Sequence, residues 1–256
     1  MARIIVITSG KGGVGKTTVA AYLGACLAAK GERVVLCDAD FGLNNIDVVC
    51  GVESLVLYDA VDVIEGRCRA KQALVRHPKY YNLFILASRT STPERFIAPQ
   101  ALKLVIDSLQ GEFDYIIIDS PAGLDEGFHR AVCSAGEAIV VTTPHVAAIR
   151  DADKTVGALK SYGMQSVALV VNKVQGDLIV TGEALSPTEI AELIKVPLVG
   201  AIADDYTLPF ADLRAKKKCF KALAETIRTG KRRICNVTGK YTGFLGSVRR
   251  ALKRSL

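Results

Sequence analysis

Short apolar runs rich in Val and Ile alternate with longer segments of helical periodicity along most of the chain. The runs Arg3–Ile7, Arg33–Cys37, Leu83–Ala87, Tyr115–Ile118, Ala138–Val141, Val167–Val171 and Leu198–Ile202 predict strands. Ile4-Ile5-Val6-Ile7 is apolar at successive positions rather than alternate ones, the pattern of a strand covered on both faces. Helical spacing fills most of the gaps, as in Val19–Ala29, Gln100–Leu109, Asp151–Tyr162 and Pro187–Ile194. Strands separated by helices predict a doubly wound, mostly parallel α/β sheet. In such sheets ligands gather at the carboxyl ends of the strands, so residues just after each run are the ones to read for chemistry.

Composition agrees with that core. Half of the 256 residues are hydrophobic and only 6% are aromatic, so Val, Ile, Leu and Ala must fill the interior. No apolar run approaches the ~18 residues that a membrane-spanning helix needs. The chain enters its first strand at once, which leaves no room for a signal peptide and predicts a cytoplasmic protein. Seven cysteines without a C-x-x-C pair predict free, mostly buried thiols.

Charge is unevenly spread. Residues 212–256 hold 14 Lys/Arg against two acids, a net +12, whereas residues 1–211 hold 19 against 24, a net −5. A mildly acidic body with a basic end points to an anionic surface or polymer as partner of that end.

The first strand run leads into Gly10-Lys11-Gly12-Gly13-Val14-Gly15-Lys16-Thr17-Thr18 and then into a helical segment. Its glycines also satisfy the looser Gly-x-Gly-x-x-Gly of dinucleotide folds, but that motif has no use for Lys16-Thr17. Strand, glycine loop and helix together predict a nucleoside triphosphate site. The loop's N–H groups and the helix N-terminus would cradle phosphate, Lys16 would reach the β- and γ-phosphates, and the Thr17 hydroxyl would ligate Mg²⁺.

Three further strand ends carry polar residues. Asp38 and Asp40, two positions apart, project the same way from an extended chain. Beside a phosphate loop they suit Mg²⁺ through water (Asp38) and the attacking water (Asp40), the competing account being an Asx-type turn with a helix cap. Tyr115-Ile116-Ile117-Ile118-Asp119 is a Walker B arrangement, with Asp119 supporting Mg²⁺ and Gly123 offering a backbone near the γ-phosphate. Asn172 ends another strand, either to hydrogen-bond a nucleobase edge or simply to turn the chain.

With Lys11 at the loop's start, Asp38-Ala39-Asp40, and Asp119-Ser120-Pro121-Ala122-Gly123, residues 2 to 210 resemble the deviant Walker A ATPases, and within them the MinD group. The resemblance implies a P-loop NTPase fold and a homodimer sandwiching two ATP molecules with Mg²⁺. Lys11 would then touch phosphate bound by the other subunit. Lys16 and Thr17 would serve their own nucleotide, with Asp40 orienting water. It also implies ATP-dependent attachment to the inner face of the cell membrane, recruitment of a MinC-like inhibitor, and release after a MinE-like activator stimulates hydrolysis. The chain departs from the family pattern at Asn44 (usually arginine), at His145 (usually acidic), and at Ala203-Asp204-Asp205, which lacks a proline.

The basic end adds a second signal. Tyr241, Phe244, Leu245, Val248, Leu252 and Leu256 recur at spacings of three and four, while Arg249, Arg250, Lys253 and Arg254 take the opposite side. That pattern predicts a C-terminal amphipathic helix lying on an anionic membrane, with a helix docked on the body as the competing account. Gly243 and Gly246 each lower isolated helicity by about 1 kcal/mol relative to Ala, which predicts a tail that orders only on its target. The chain thus divides into an ATPase domain, 1–237, and a membrane-targeting tail, 238–256. The basic clusters at 214–218 and 231–233 suit lipid, DNA backbone or plain solvation. The alternatives are a ParA-type partition ATPase binding DNA non-specifically and a MinD-like flagellar-number regulator, which usually carries an extra N-terminal segment not seen here. A nitrogenase-iron-protein-like reductase is a more distant reading, with Cys133 as its only candidate ligand.

Overall fold

The computed structural model describes residues 1–42, 45–88, 97–208, 213 and 217–254, with side chains through residue 251. In chain order the elements are β1 (Arg3–Thr8), α1 (Lys16–Ala28), β2 (Val34–Asp38), α2 (Ile46–Cys50), α3 (Ala60–Ile64), α4 (Ala70–Ala73), β3 (Val75–Arg76) and β4 (Leu83–Leu86). There follow α5 (Pro99–Leu109), β5 (Tyr115–Asp119), α6 (Glu126–Cys133), β6 (Glu137–Thr142), α7 (Val146–Ser161), β7 (Ser166–Val174), α8 (Gly176–Val180), α9 (Pro187–Ile194), β8 (Leu198–Ala203), α10 (Lys218–Thr229) and α11 (Gly243–Arg254).

The strands form one sheet in the order β3-β4-β2-β5-β1-β6-β7-β8. Every pairing is parallel except the antiparallel edge pair β3–β4. Residues alternate between two cores. Val6, Val35, Ile116 and Ile118 face α5, α6 and α7, while Ile5, Ile7, Leu36 and Ile117 face α1 and α10. Helix α1 is buried nearly all round because the sheet covers one side and α10 the other, with Tyr22 and Phe220 stacked at 4.6 Å between centroids.

The seven predicted strands are all present. Strand β3 was not anticipated, since two residues carry no periodicity. Helix α7 starts at Val146, five residues before the predicted start, and α9 has the predicted bounds. The cysteine expectation needs correction: Cys219 and Cys235 form a disulfide between α10 and the segment after it. Cys26, Cys37, Cys50, Cys68 and Cys133 are not in disulfides.

The tail departs from expectation at Tyr241. It is helical as α11, and its apolar residues Phe244 and Leu245 are 84% and 75% exposed, so it is not docked on the body by that face. Tyr241 leaves the predicted stripe. It belongs to a 3-10 turn, Gly239–Tyr241, whose ring lies against Gly176, and α11 packs back on that turn. The two tail glycines have local jobs: Gly243 takes φ +71° between turn and helix, and Gly246 lets Tyr241's backbone approach. The side chains of Leu252, Lys253 and Arg254, the residues Ser255 and Leu256, and Asn44 and Arg214–Lys216 lie outside the described residues.

Candidate functional site

The glycine loop leaves the end of β1 and closes into α1 with Gly15 at φ +93°. A side chain there would be strained, and a Cβ would stand 2.4 Å from Asn172 Nδ2. Asn172 is buried, and its amide nitrogen donates to the Val14 carbonyl at 2.8 Å. The loop is therefore braced from β7, by a residue that also lines the cleft. Lys173 adds a second brace. It has left-handed backbone (φ 55°) and its Nζ donates to the Gly13 carbonyl at 2.9 Å. With carbonyls of the loop held from outside, its N–H groups are free to turn toward an anion.

Gly10 packs against α7, where a Cβ would stand 2.4 Å from the Asp151 carbonyl. Lys11, Gly12 and Gly13 form an exposed tip. Among the described residues Lys11 makes no ion pair. Gly123 reaches the loop's start, its N–H donating to the Ser9 carbonyl at 3.2 Å.

Lys16 is buried beneath the loop. Burial lowers its pKa, and the nearby Asp119 and Asp40 charges oppose that shift. Asp119 pairs in register with Ile7 of β1 on one side and with Asp38 of β2 on the other. Its carboxyl is pushed up to about 7 by burial, against a hydrogen bond from Thr17 and the charge of Lys16. One oxygen, Oδ1, is buried without a hydrogen-bond partner.

Asp38 is held differently. Its Oδ1 accepts from Asp40 N at 3.0 Å, and its Oδ2 accepts from Asn45 N at 3.1 Å and Ile46 N at 3.3 Å. That is the Asx-turn and helix-cap arrangement the sequence left open. Burial and the Asp119 charge still raise its pKa, because three backbone donors do not offset both. Asp40 is half-buried and accepts from Gly42 N.

A cleft of about 840 Å³ runs over these groups, lined by Gly12, Lys16, Thr17, Thr18, Asp40 and Ser120 at its phosphate end. Its other end is lined by Asn172, Lys173, Asp204, Asp205 and Tyr206. Asp205 is tied to Lys217 at 2.5 Å, and Tyr206 is 86% exposed.

A family model described as ParA, NUBPL iron-transfer P-loop NTPase, matches residues 1–184. The septum site-determining protein MinD of Bacillus subtilis is 46% identical over 207 residues, which cover 80% of this chain and 77% of that protein. The chain belongs to the MinD family of septum site-determining ATPases. MinD in the MinC:MinD cell division complex of Aquifex aeolicus superposes with a TM-score of 0.80 at 36% identity, over 89% of this chain and 95% of its own. MinD of Pyrococcus horikoshii, complexed with Mg-ADP, gives 0.79 at 30% identity, over 90% and 97%.

In this MinD-family chain the phosphate loop, Asp38, Asp40, Asp119, Gly123 and Asn172 converge at one end of the sheet, as strand-end residues should. A divalent cation fits the donor set. Hard cations take oxygen ligands, and the Asp119 carboxyl, which interacts with the Thr17 hydroxyl, keeps its Oδ1 without a hydrogen-bond partner. Sequence reasoning did not assign Lys173 or Tyr206. For Lys173 the Asn-Lys pair at a strand end was a usable signal, while Tyr206 carried none.

Proposed function

We propose that this protein is a Mg²⁺-dependent ATPase that cycles on and off an anionic membrane surface and there regulates where the division septum forms. Thr17 and Asp119 hold the metal, with Asp38 fixing the turn that carries Asp40. The metal's contribution is to neutralise charge on the phosphates. Lys16 and the loop N–H groups bind the β- and γ-phosphates, and Asp40 orients the attacking water. Gly123, hydrogen-bonded to the loop's start, senses the γ-phosphate.

The ATP-bound state is a homodimer. Lys11 stands exposed at the rim of the cleft, where it reaches phosphate on a second copy, and exposed apolar residues Leu57, Leu124 and Val146 border the same end of the sheet. Nucleotide held between two copies makes dimerisation conditional on ATP. A MinC-type inhibitor is the downstream partner, as in the Aquifex aeolicus complex, and a MinE-like activator ends the cycle by stimulating hydrolysis.

The observation that carries this reading is α11, a helix with exposed Phe244, Leu245 and Val248 and with Arg249 beside them. Its root, Val237 and Tyr241, packs on Gly176, just past the β7 residues that brace the phosphate loop. The tail therefore leaves the body at the nucleotide end. Among the described residues no helix is long and apolar enough to cross a membrane; attachment through the exposed apolar side chains of α11 is peripheral. One tail binds weakly, because each basic residue contributes only ~1 kcal/mol near an anionic leaflet. Two tails on one dimer gain ~10²–10⁴ from effective concentration. Val237 closes the ATPase domain, and residues 238–256 form the tail.

Co-sedimentation with anionic liposomes and with duplex DNA tests this, in ATP and in ADP, using the full chain and one ending before Lys240. ATP-dependent lipid binding that disappears on truncation is expected. Equal lipid binding in both nucleotides, or binding to DNA alone, overturns it.

A further inference from the structure

The cysteines outside the disulfide fall into two groups. Cys26, Cys37 and Cys50 are buried, and burial raises their thiols far above the ordinary value, Cys26 to about 12. Such thiols are inert toward exchange. Cys68 and Cys133 are accessible but unpaired. Cys219 and Cys235 differ from all of these. They are bonded to each other, half-buried at the surface, and their Cα atoms are 5.0 Å apart. Cys219 is the second residue of the twelve-residue helix α10, next to Lys218 and two positions before Lys221, and Lys231-Arg232-Arg233 precede Cys235. The bond thus sits at the N-terminal end of a helix, among basic residues and half-buried at the surface, where an external thiolate can reach it.

The bond also has a definite mechanical position. After α10 ends, the chain turns back along it, and this return segment is tied to the helix at Thr226. The Thr226 hydroxyl accepts from Arg233 N at 2.8 Å. Beyond Cys235, Val237 seats its carbonyl against Gly176, and residues 238–242 lead into α11. The disulfide closes the loop between the body and the last segment before the tail.

We propose that the Cys219–Cys235 pair is a thiol–disulfide exchange site that sets how tightly the tail root is held, and through it the membrane affinity of the ATP-bound dimer. This rests on the membrane reading of α11. The partner class is a small dithiol or dithiol protein. Its thiolate attacks one sulfur, the Sγ–Sγ bond breaks, and the other cysteine leaves as thiolate and takes a proton. The reductant's second thiol then displaces the mixed disulfide. The protein gains two electrons and two protons, and the reductant is left as its own disulfide.

The size of the effect follows from linker length. With the bond closed, five residues (238–242) join the held segment to α11; with it open and the return segment released, twelve (231–242) do. With residues 238–242 acting as flexible chain once α11 leaves its turn for lipid, effective concentration falls roughly as the −3/2 power of linker length, so lipid binding by the ATP dimer weakens about fourfold.

The test uses the full-length protein, air-oxidised or reduced with dithiothreitol, on vesicles of phosphatidylglycerol and phosphatidylethanolamine. Cys219→Ser and Cys235→Ser variants accompany it. Expected are about fourfold tighter ATP-dependent binding by the oxidised form, serine variants that match the reduced form under both conditions, and faster tryptic cleavage after Lys231–Arg233 on reduction. Alkylation showing seven free thiols after air exposure overturns the proposal. Equal lipid binding by oxidised and reduced protein, with truncation before Lys240 still abolishing it, overturns the exchange site and leaves the membrane ATPase standing. Absence of lipid binding by either form removes both.

Discussion

Asp38 and Asp119 stand opposite one another at the last register position of β2 and β5, and both carboxyls are buried. Their pKa values are raised, Asp119 to about 7. A carboxyl that keeps its proton when folded binds more protons than the unfolded chain does, from about pH 4 to about pH 7. Stability contributed by this pair therefore falls as pH rises through that window. In EDTA without nucleotide, the melting temperature should drop between pH 5 and pH 7.5. Asp119→Asn should flatten that slope, and Mg²⁺-ATP should do the same in the unmodified protein by holding the carboxylate ionised. An unchanged slope in Asp119→Asn would count against the assignment.

Lys11 and Lys16 should separate binding from turnover. Lys16 is buried under the loop and Lys11 is exposed at its tip. Lys16→Gln should abolish tight nucleotide binding. Lys11→Ala should leave binding to the monomer within a few-fold while lowering hydrolysis by about 10²-fold, the usual cost of removing one charge-stabilising donor from a transition state. Fluorescent-nucleotide titration and single-turnover hydrolysis distinguish the two.

Gly15→Ala should be costly out of proportion to one methyl group. Left-handed backbone costs a non-glycine residue about 1–2 kcal/mol, and the new Cβ would displace the Asn172 amide. Nucleotide affinity should fall at least ~10-fold, since 1.4 kcal/mol is one decade. Asn172→Asp should have a similar effect, because it sets a carboxylate against the Val14 carbonyl. Calorimetric titration with ATP measures both.

Phe244→Glu and Leu245→Glu should abolish lipid binding and leave the melting temperature unchanged. Their side chains are exposed, so the folded body loses no contact. A fall in thermal stability of several degrees would instead mean that α11 is docked on the body.

Gly246→Ala sets two effects against each other. Helix propensity favours Ala by about 1 kcal/mol, but its Cβ would stand 2.2 Å from the Tyr241 carbonyl carbon. A peptide of residues 238–256 should become more helical by circular dichroism. In the whole protein the contact wins, and amide exchange over 239–246 should accelerate.

The seven main strands, the parallel class and the phosphate loop were legible because each is written in residues close together in sequence. Asp119 belongs with them, an acid ending an apolar run. Tyr241 was misread for the same reason. Its spacing fits the apolar stripe of α11, yet the chain turns at Gly243 and directs the ring to Gly176, 65 positions earlier. The double role of Asp38 was only half legible. Two acids leaving a strand suit metal or turn equally until Asn45 and Ile46 are seen to donate to one of them.

What the sequence determined by itself is therefore the class of the fold, the glycine loop between β1 and α1 and the amphipathic pattern of the end. Those depend on local periodicity and on motifs a few residues long. Tertiary structure alone decided that Asn172 and Lys173 brace the loop from 158 and 160 positions away, that Cys219 meets Cys235, and that the tail root rests beside the nucleotide strands. These facts follow from the order and register of strands in the sheet, which bring distant segments within hydrogen-bonding and covalent reach and leave no periodic mark on the chain.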